Sequence, residues 1–201
     1  MTPAHAPRPL NILRYVLSNF LLALPLVCAA ADDIPVPAGF VLQPLPETDG
    51  QVARPKDWFF SSQGTSSGWL WTISREDPAK GPYKTGLRIQ LLVGVTKGTG
   101  KAREDFVQTF ISGKRSSSEV KRSCPTTDLG QFYRQCIEVI ESVPPPSGPG
   151  PYRILYSLMW GKEMDMVVVS TFGAPAETWQ TASPLADAMT EFRLIGPNFG
   201  K

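Results

Sequence analysis

Two short patterns in the chain are of the kind that carries serine chemistry. Ser118-Glu119-Val120-Lys121 reads S-x-x-K and Lys84-Thr85-Gly86 reads K-T-G, two parts of the apparatus by which a lysine activates a serine in penicillin-binding enzymes. Their order is reversed, the S-D-N part is missing and 201 residues are few for that fold, so two chance matches to common patterns are the better reading. Carboxylates recur in pairs, at Glu104-Asp105, Glu138/Glu141, Glu163/Asp165 and Asp187/Glu191. Paired acids run glycoside hydrolysis only when a cleft holds them several ångströms apart with divergent pKa values. Neighbours on the surface of one element are ordinarily solvated. Gly94 to Lys101, GVTKGTGK, lies between an apolar run and a helical one, where a phosphate-binding loop belongs. Five residues separate Gly94 from Gly100, one more than that loop has, and Ala102 stands where Ser or Thr would hold Mg2+, so the segment reads as a strand-to-helix turn. The helix N-terminus there could hold an incidental anion.

The single histidine, His5, lies in the leader, which leaves the rest of the chain without imidazole for a triad, a proton shuttle or a His-ligated metal. Nothing resembles an EF-hand loop. The expectation is therefore no catalytic, cofactor-binding or metal-ligating residue and no cofactor. Lys114, Arg115, Lys121 and Arg122 form the densest basic cluster, a candidate interaction patch for an acidic partner or anionic lipid heads. Tryptophans 58, 69, 71, 160 and 179 could stack on sugars, but Trp69, Trp71 and Trp160 share strand faces with aliphatic residues and read as core.

The leader sets the compartment. Residues up to Asn19 carry Arg8 and Arg14, Phe20 to Val27 is apolar, and Cys28-Ala29-Ala30-Ala31 supplies an A-x-A site. Together these make a secretory signal peptide cleaved after Ala31, residues 1–31. The apolar segment is shorter than a membrane span needs and is interrupted by Pro25. Leu26-Val27-Cys28 is a poor lipobox, and lipidation at Cys28 is the one route by which the protein would be membrane-anchored. Without the leader, Lys and Arg fall from 20 to 18, equal to the 18 Asp and Glu, which disfavours a nucleic-acid surface. Cys124 and Cys136 are then the remaining thiols, and in an exported chain they are expected to form a disulfide.

Asp32 to Pro55, with prolines at 35, 37, 44, 46 and 55, reads as an extended arm, with a short edge strand at Phe40-Val41-Leu42. Residues 56–201 read as one α+β domain. Alternation marks Trp58–Ser62 and Trp69–Arg75 as a hairpin, Leu87 to Val95 as a strand, and Tyr152–Trp160 with Met164–Phe172 as a second hairpin. Two more strands, about Glu119–Cys124 and Gln131–Glu141, are joined by turn chemistry at Pro125–Gly130. Ala102 to Lys114 has helical spacing, with Phe106, Val107, Phe110 and Ile111 as its stripe and Gly113 and serines 116–118 as its end. Pro144–Pro151 reads as an exposed loop. A final helix falls within Thr178–Phe192, where Pro184 either starts or kinks it. This order implies a mostly antiparallel sheet with two helices packed on it.

The Pro55-Lys56-Asp57-Trp58 lead-in, the Trp69/Trp71 strand, the Gly86-Leu87-Arg88-Ile89 strand and the closing Glu191-Phe192-Arg193-Leu194 resemble the PsbP-like α/β/α sandwich over roughly Gly50 to Ile195. That fold group includes an extrinsic photosystem subunit and a factor that binds the Ran GTPase. The resemblance implies an accessory or binding role and supplies no catalytic residues. The expected function is that of an exported, periplasmic or extracellular, non-enzymatic binding protein whose partner is another protein of the cell envelope. The alternatives are a cell-envelope hydrolase using carboxylates or a Ser-Lys dyad, and a lipoprotein.

Overall fold

A computed structural model describes residues 36–142, 150–190, 193–196 and 199. The leader with His5, Cys28 and Ala31, most of the Pro144–Pro151 segment, and Glu191 and Phe192 lie outside the described residues.

Period-two alternation produces a seven-stranded sheet. Its strands are β3 (Phe59–Thr65), β4 (Gly68–Ser74), β5 (Gly86–Val93), β6 (Glu119–Asp128), β7 (Phe132–Ser142), β8 (Pro151–Gly161) and β9 (Met166–Pro175). They lie in the order β3-β4-β5-β9-β8-β7-β6, with every neighbouring pair antiparallel. A separate two-stranded sheet pairs β1 (Phe40–Leu45) with β2 (Gly50–Pro55). The helices are α1 (Val95–Thr99), α2 (Arg103–Ser117) and α3 (Trp179–Thr190). The architecture is α+β, with two main helices and one disulfide.

Both faces of the sheet are covered around β9, and its sequence says so. Val167 and Val169 face one layer while Met166, Val168 and Phe172 face the other, all buried. Such an unbroken apolar run is what a strand buried on both sides requires. On one face, Val107 and Ile111 of α2 are buried, with Phe106 and Phe110 beside them, against Val139, Tyr156, Leu158 and Trp160. On the other face, Trp179, Ala182, Ala186 and Met189 of α3 pack with Trp71, Ile73 and Phe172. Trp71 and Trp160 are buried and Trp69 is half-buried against the core, as the strand patterning requires.

Four local expectations are corrected, and the place of Pro184 is decided between the two alternatives. The proline-rich arm is instead a hairpin: Leu45, Val52 and Ala53 are wholly buried, and that burial drives the segment onto the α3 layer. Pro44 and Pro55 are tolerated because a two-stranded sheet consists only of edges. Residues 193–196 bind the hairpin along the chain's far end, through Gln51 N to Arg193 O at 2.8 Å, Gly196 N to Thr48 O at 2.8 Å and the Thr48 hydroxyl to Leu194 O at 2.8 Å. Helix α2 continues through Gly113 to Ser117, and the hydroxyls of Ser116 and Ser117 donate to the Gly113 carbonyl. Strand β6 absorbs Pro125 by a register shift between Cys124 and Thr127, which an edge strand permits, and the chain reverses instead at Gly130, whose φ is 77°. Helix α3 begins at Trp179 and contains Pro184. Val93 is exposed, and Gly94, at φ 68°, turns the chain so that Val95 opens α1 rather than extending β5.

Candidate functional site

Strand alternation and register bring the recess together. Cys124 on β6, Cys136 on β7 and Ser157 on β8 are successive register partners, so they form one row across the sheet on the α3 side. Cys124 and Cys136 are disulfide-bonded, with Cα atoms 4.9 Å apart. The row to one side holds Arg122, Glu138 and Leu155. Helix α3 crosses above and supplies Asp187 and Thr190. Between helix and sheet lies a recess of about 120 Å³, floored by the disulfide, Leu155 and Ser157 and walled by Arg122, Thr127, Arg134, Asp187 and Thr190.

Beside the recess a buried carboxylate organises the charges. Glu138 accepts hydrogen bonds from Arg153 Nε and, at 3.0 Å, lies against Arg122 Nε. Arg122 Nη2 reaches across to Asp187 Oδ1 at 3.1 Å, tying β6 to α3. The Arg153 guanidinium lies 5.4 Å from the Trp179 ring centroid, which adds a cation–π contact. Partial burial works against the charge on Arg122, but the bonds to Asp187 and Glu138 outweigh it and hold the guanidinium more firmly protonated than usual. The Arg134 guanidinium has no hydrogen-bond or ion-pair partner among the described residues, and its nitrogens keep contact with solvent.

The four residues of the predicted basic patch do not form one free surface. Lys114 belongs to the α2 layer: its Nζ is 2.8 Å from Glu141 Oε1 and 4.4 Å from the Tyr156 ring centroid. Burial draws the Lys114 ammonium down, and the hydrogen bonds to Glu141 and Tyr156 more than restore it. Arg115 is exposed in the last turn of α2. Lys121 pairs with Glu119. Arg122 alone reaches the recess, because the bulge between Val120 and Arg122 turns it to the α3 side. Sequence reading missed Arg134 and took Glu138, which is buried, for half of a solvated carboxylate pair. The signal that points to both is their parity with Cys136 on one strand.

The other motifs are likewise accounted for within the chain. Ser118 donates to Glu141 at 3.3 Å while Lys121 is held by Glu119, so S-x-x-K forms no dyad. The amides of Lys84 and Thr85 donate to Glu76, at 2.9 and 3.0 Å. Glu138 and Glu141 lie on opposite faces of β7, and Glu104 and Asp105 are exposed in the first turn of α2. The amide groups that open α1 are taken by Asp165, which accepts from Thr96 N at 2.9 Å, Thr96 Oγ1 at 2.8 Å and Lys97 N at 3.5 Å. An anion therefore has no place at the start of α1; the helix whose N-terminus the sequence offers to one is α2, which opens after Ala102. The Thr96 amide, with the hydroxyl and the Lys97 amide behind it, holds the Asp165 carboxyl below the usual carboxylate range. Among the described residues no group of three or more His, Cys, Asp or Glu is placed to hold a metal.

No family model matches the chain, and no curated protein does. Among solved structures it is similar to the cyanobacterial PsbP protein CyanoP of Synechocystis sp. PCC 6803, at 12% identity over 86% of this chain and 99% of that one, with a TM-score of 0.49. It is similar also to the Ran-binding protein Mog1p of Saccharomyces cerevisiae, at 11% identity over 78% of this chain and 95% of that one, TM-score 0.46. A third likeness is to PA94 of Pseudomonas aeruginosa, a protein of unknown function, at 7% identity over 74% and 91%, TM-score 0.36. The structural likeness is thus to the PsbP/Mog1-like fold at low sequence identity, and at these scores no site or partner passes from them to this chain.

Proposed function

We propose that this is an exported, non-enzymatic binding protein that acts through contacts with another protein of the cell envelope, with the recess beneath α3 in its contact surface. The observation that carries this reading is the make-up of the recess. Guanidinium and hydroxyl groups, which hold and orient, surround an apolar and disulfide floor, and its one carboxylate, Asp187, is engaged by Arg122. Export is supported by the leader pattern and by the disulfide, which persists in oxidising compartments.

The test is a photo-crosslinking residue at Thr127, on the rim of the recess, with a control at Thr109 on the outer surface of α2, each expressed with the natural leader. One stoichiometric envelope protein captured from Thr127 and not from Thr109 is the expected result. Turnover of peptidoglycan fragments by purified protein, abolished by Asp187→Asn with the fold intact, would replace this reading with the hydrolase. Mass measurement of the mature N-terminus decides between cleavage after Ala31 and a lipid on Cys28.

A further inference from the structure

We infer that the recess is a carboxylate-binding site in which Arg134 is the anchoring residue; this rests on the binding reading above and names the chemical group that the partner presents there.

The arginines of the described residues sort by burial. Three of the four half-buried ones are satisfied: Arg54 donates to Gln43 and to the carbonyls of Pro55, Lys56 and Trp58, Arg103 to the carbonyls of Lys162 and Glu163, and Arg153 to Glu138. Arg75, Arg88, Arg115 and Arg193 are exposed, where water serves. Arg134 is half-buried, lines the recess and has no partner among the described residues. A guanidinium carries five donors and no acceptor, and those of Arg134 are met by solvent in the recess rather than by the protein, so they are open to a ligand. A planar oxyanion offered to it is accordingly held well, because two parallel N–H···O bonds match its fork.

The surroundings choose a carboxylate over a larger or more highly charged anion. Arg122 and Arg153 are already committed to Glu138 and Asp187, so Arg134 is the uncommitted positive charge. One guanidinium balances one negative charge, and a phosphate dianion would also face Asp187 across a recess of about 120 Å³. That volume takes a head group rather than a metabolite of drug size, whose pockets start near ~300 Å³. Ser157 on the floor and Thr127 on the rim add hydroxyl donors. On the binding reading this carboxylate belongs to an acidic side chain or a chain terminus of the partner, and a small free acid is the outcome the test separates from these.

The experiment is NMR titration of the isotope-labelled mature protein at low salt. The probes are N-acetyl-glutamate amide for the side chain, N-acetyl-glutamine with a free terminus for the chain end, and acetate for the free acid. N-acetyl-glutamine amide and inorganic phosphate are the controls. The expected result is a saturable shift centred on Thr127, Arg134 and Ser157 with at least one carboxylate probe, weakened tenfold or more in Arg134→Gln and unchanged in Lys97→Gln, with the tightest probe naming the source. The inference is overturned if no carboxylate shifts these residues, if the neutral amide or phosphate does so equally, or if Arg134→Gln binds as the parent does. A partner captured from Thr127 together with a silent titration would sink the carboxylate while leaving the binding function standing.

Discussion

Arg122 Nε lies 3.0 Å from a carboxylate oxygen of Glu138, joining a side chain that is 45% exposed to one that is 4% exposed. The buried partner is the sensitive one. Glu138→Ala leaves Arg122 and Arg153 facing a cavity, at a cost of roughly 3 kcal/mol, the low end for a broken buried pair because both guanidiniums keep access to water. Asp187→Asn removes only the exposed partner and should cost about 1 kcal/mol or less. Urea unfolding of the two variants measures both. Equal losses would show that Glu138 is not the hub.

The disulfide closes a short loop, with its cysteines 12 residues apart. By chain entropy its removal in Cys124→Ala/Cys136→Ala costs about 3 kcal/mol, which in a domain of this size lowers Tm by roughly 6–12 °C. Calorimetry of the double variant against the oxidised parent checks this. An unchanged Tm would mean that the β6–β7 pairing already holds the loop closed in the unfolded chain.

Asp165 ties the β8–β9 turn to α1, and its carboxyl is held below the usual range by the Thr96 amide. A depressed folded pKa contributes stability that is present above the unfolded value, near ~3.9, and lost as pH falls through the folded one. Asp165→Ala should therefore destabilise by about 1 kcal/mol at neutral pH, the usual worth of a cap. The gap to the parent should narrow as pH drops below 4. A gap that is the same at pH 7 and pH 3 would assign the loss to packing instead.

Gly50 is required for close approach rather than for an unusual φ. A Cβ there would sit 2.2 Å from the Leu194 carbonyl oxygen, where the chain's end is hydrogen-bonded to the hairpin. Gly50→Ala should cost roughly 1–3 kcal/mol, the range for overpacking, and should speed amide exchange at Gln51, whose N–H donates to Arg193. Gly64→Ala, at an open position, is the matched control and should be near neutral.

Elements were legible where the pattern that makes them is local. The hairpin of β8 and β9 follows from alternation in Tyr152–Trp160 and Met164–Phe172, although β9 itself starts at Met166, and the stripe of α2 from the spacing of Val107 and Ile111. The expected basic patch dissolved because charge clustering along the chain ignores the face on which each residue lies. Lys114 went to the α2 layer and Arg122 to the α3 layer, each to a carboxylate far away in sequence: Glu141, 27 residues on, and Asp187, 65 residues on. The hairpin of β1 and β2 was hidden for a related reason. Prolines advertise an arm, and only the contact with residues 193–196 and the α3 layer makes burial of Leu45 and Val52 available.

Sequence alone determined the α+β class, the two main helices and the pairing of Cys124 with Cys136, because period, turn chemistry and the count of thiols are properties of short stretches or of composition. The tertiary structure decided what stands around that disulfide. Register set Arg134, Cys136 and Glu138 on one face, and the path of α3 over the sheet brought Asp187 and Thr190 above them. Which guanidinium is satisfied and which is left without a partner depends on distances between strands and helix, and no local pattern encodes those.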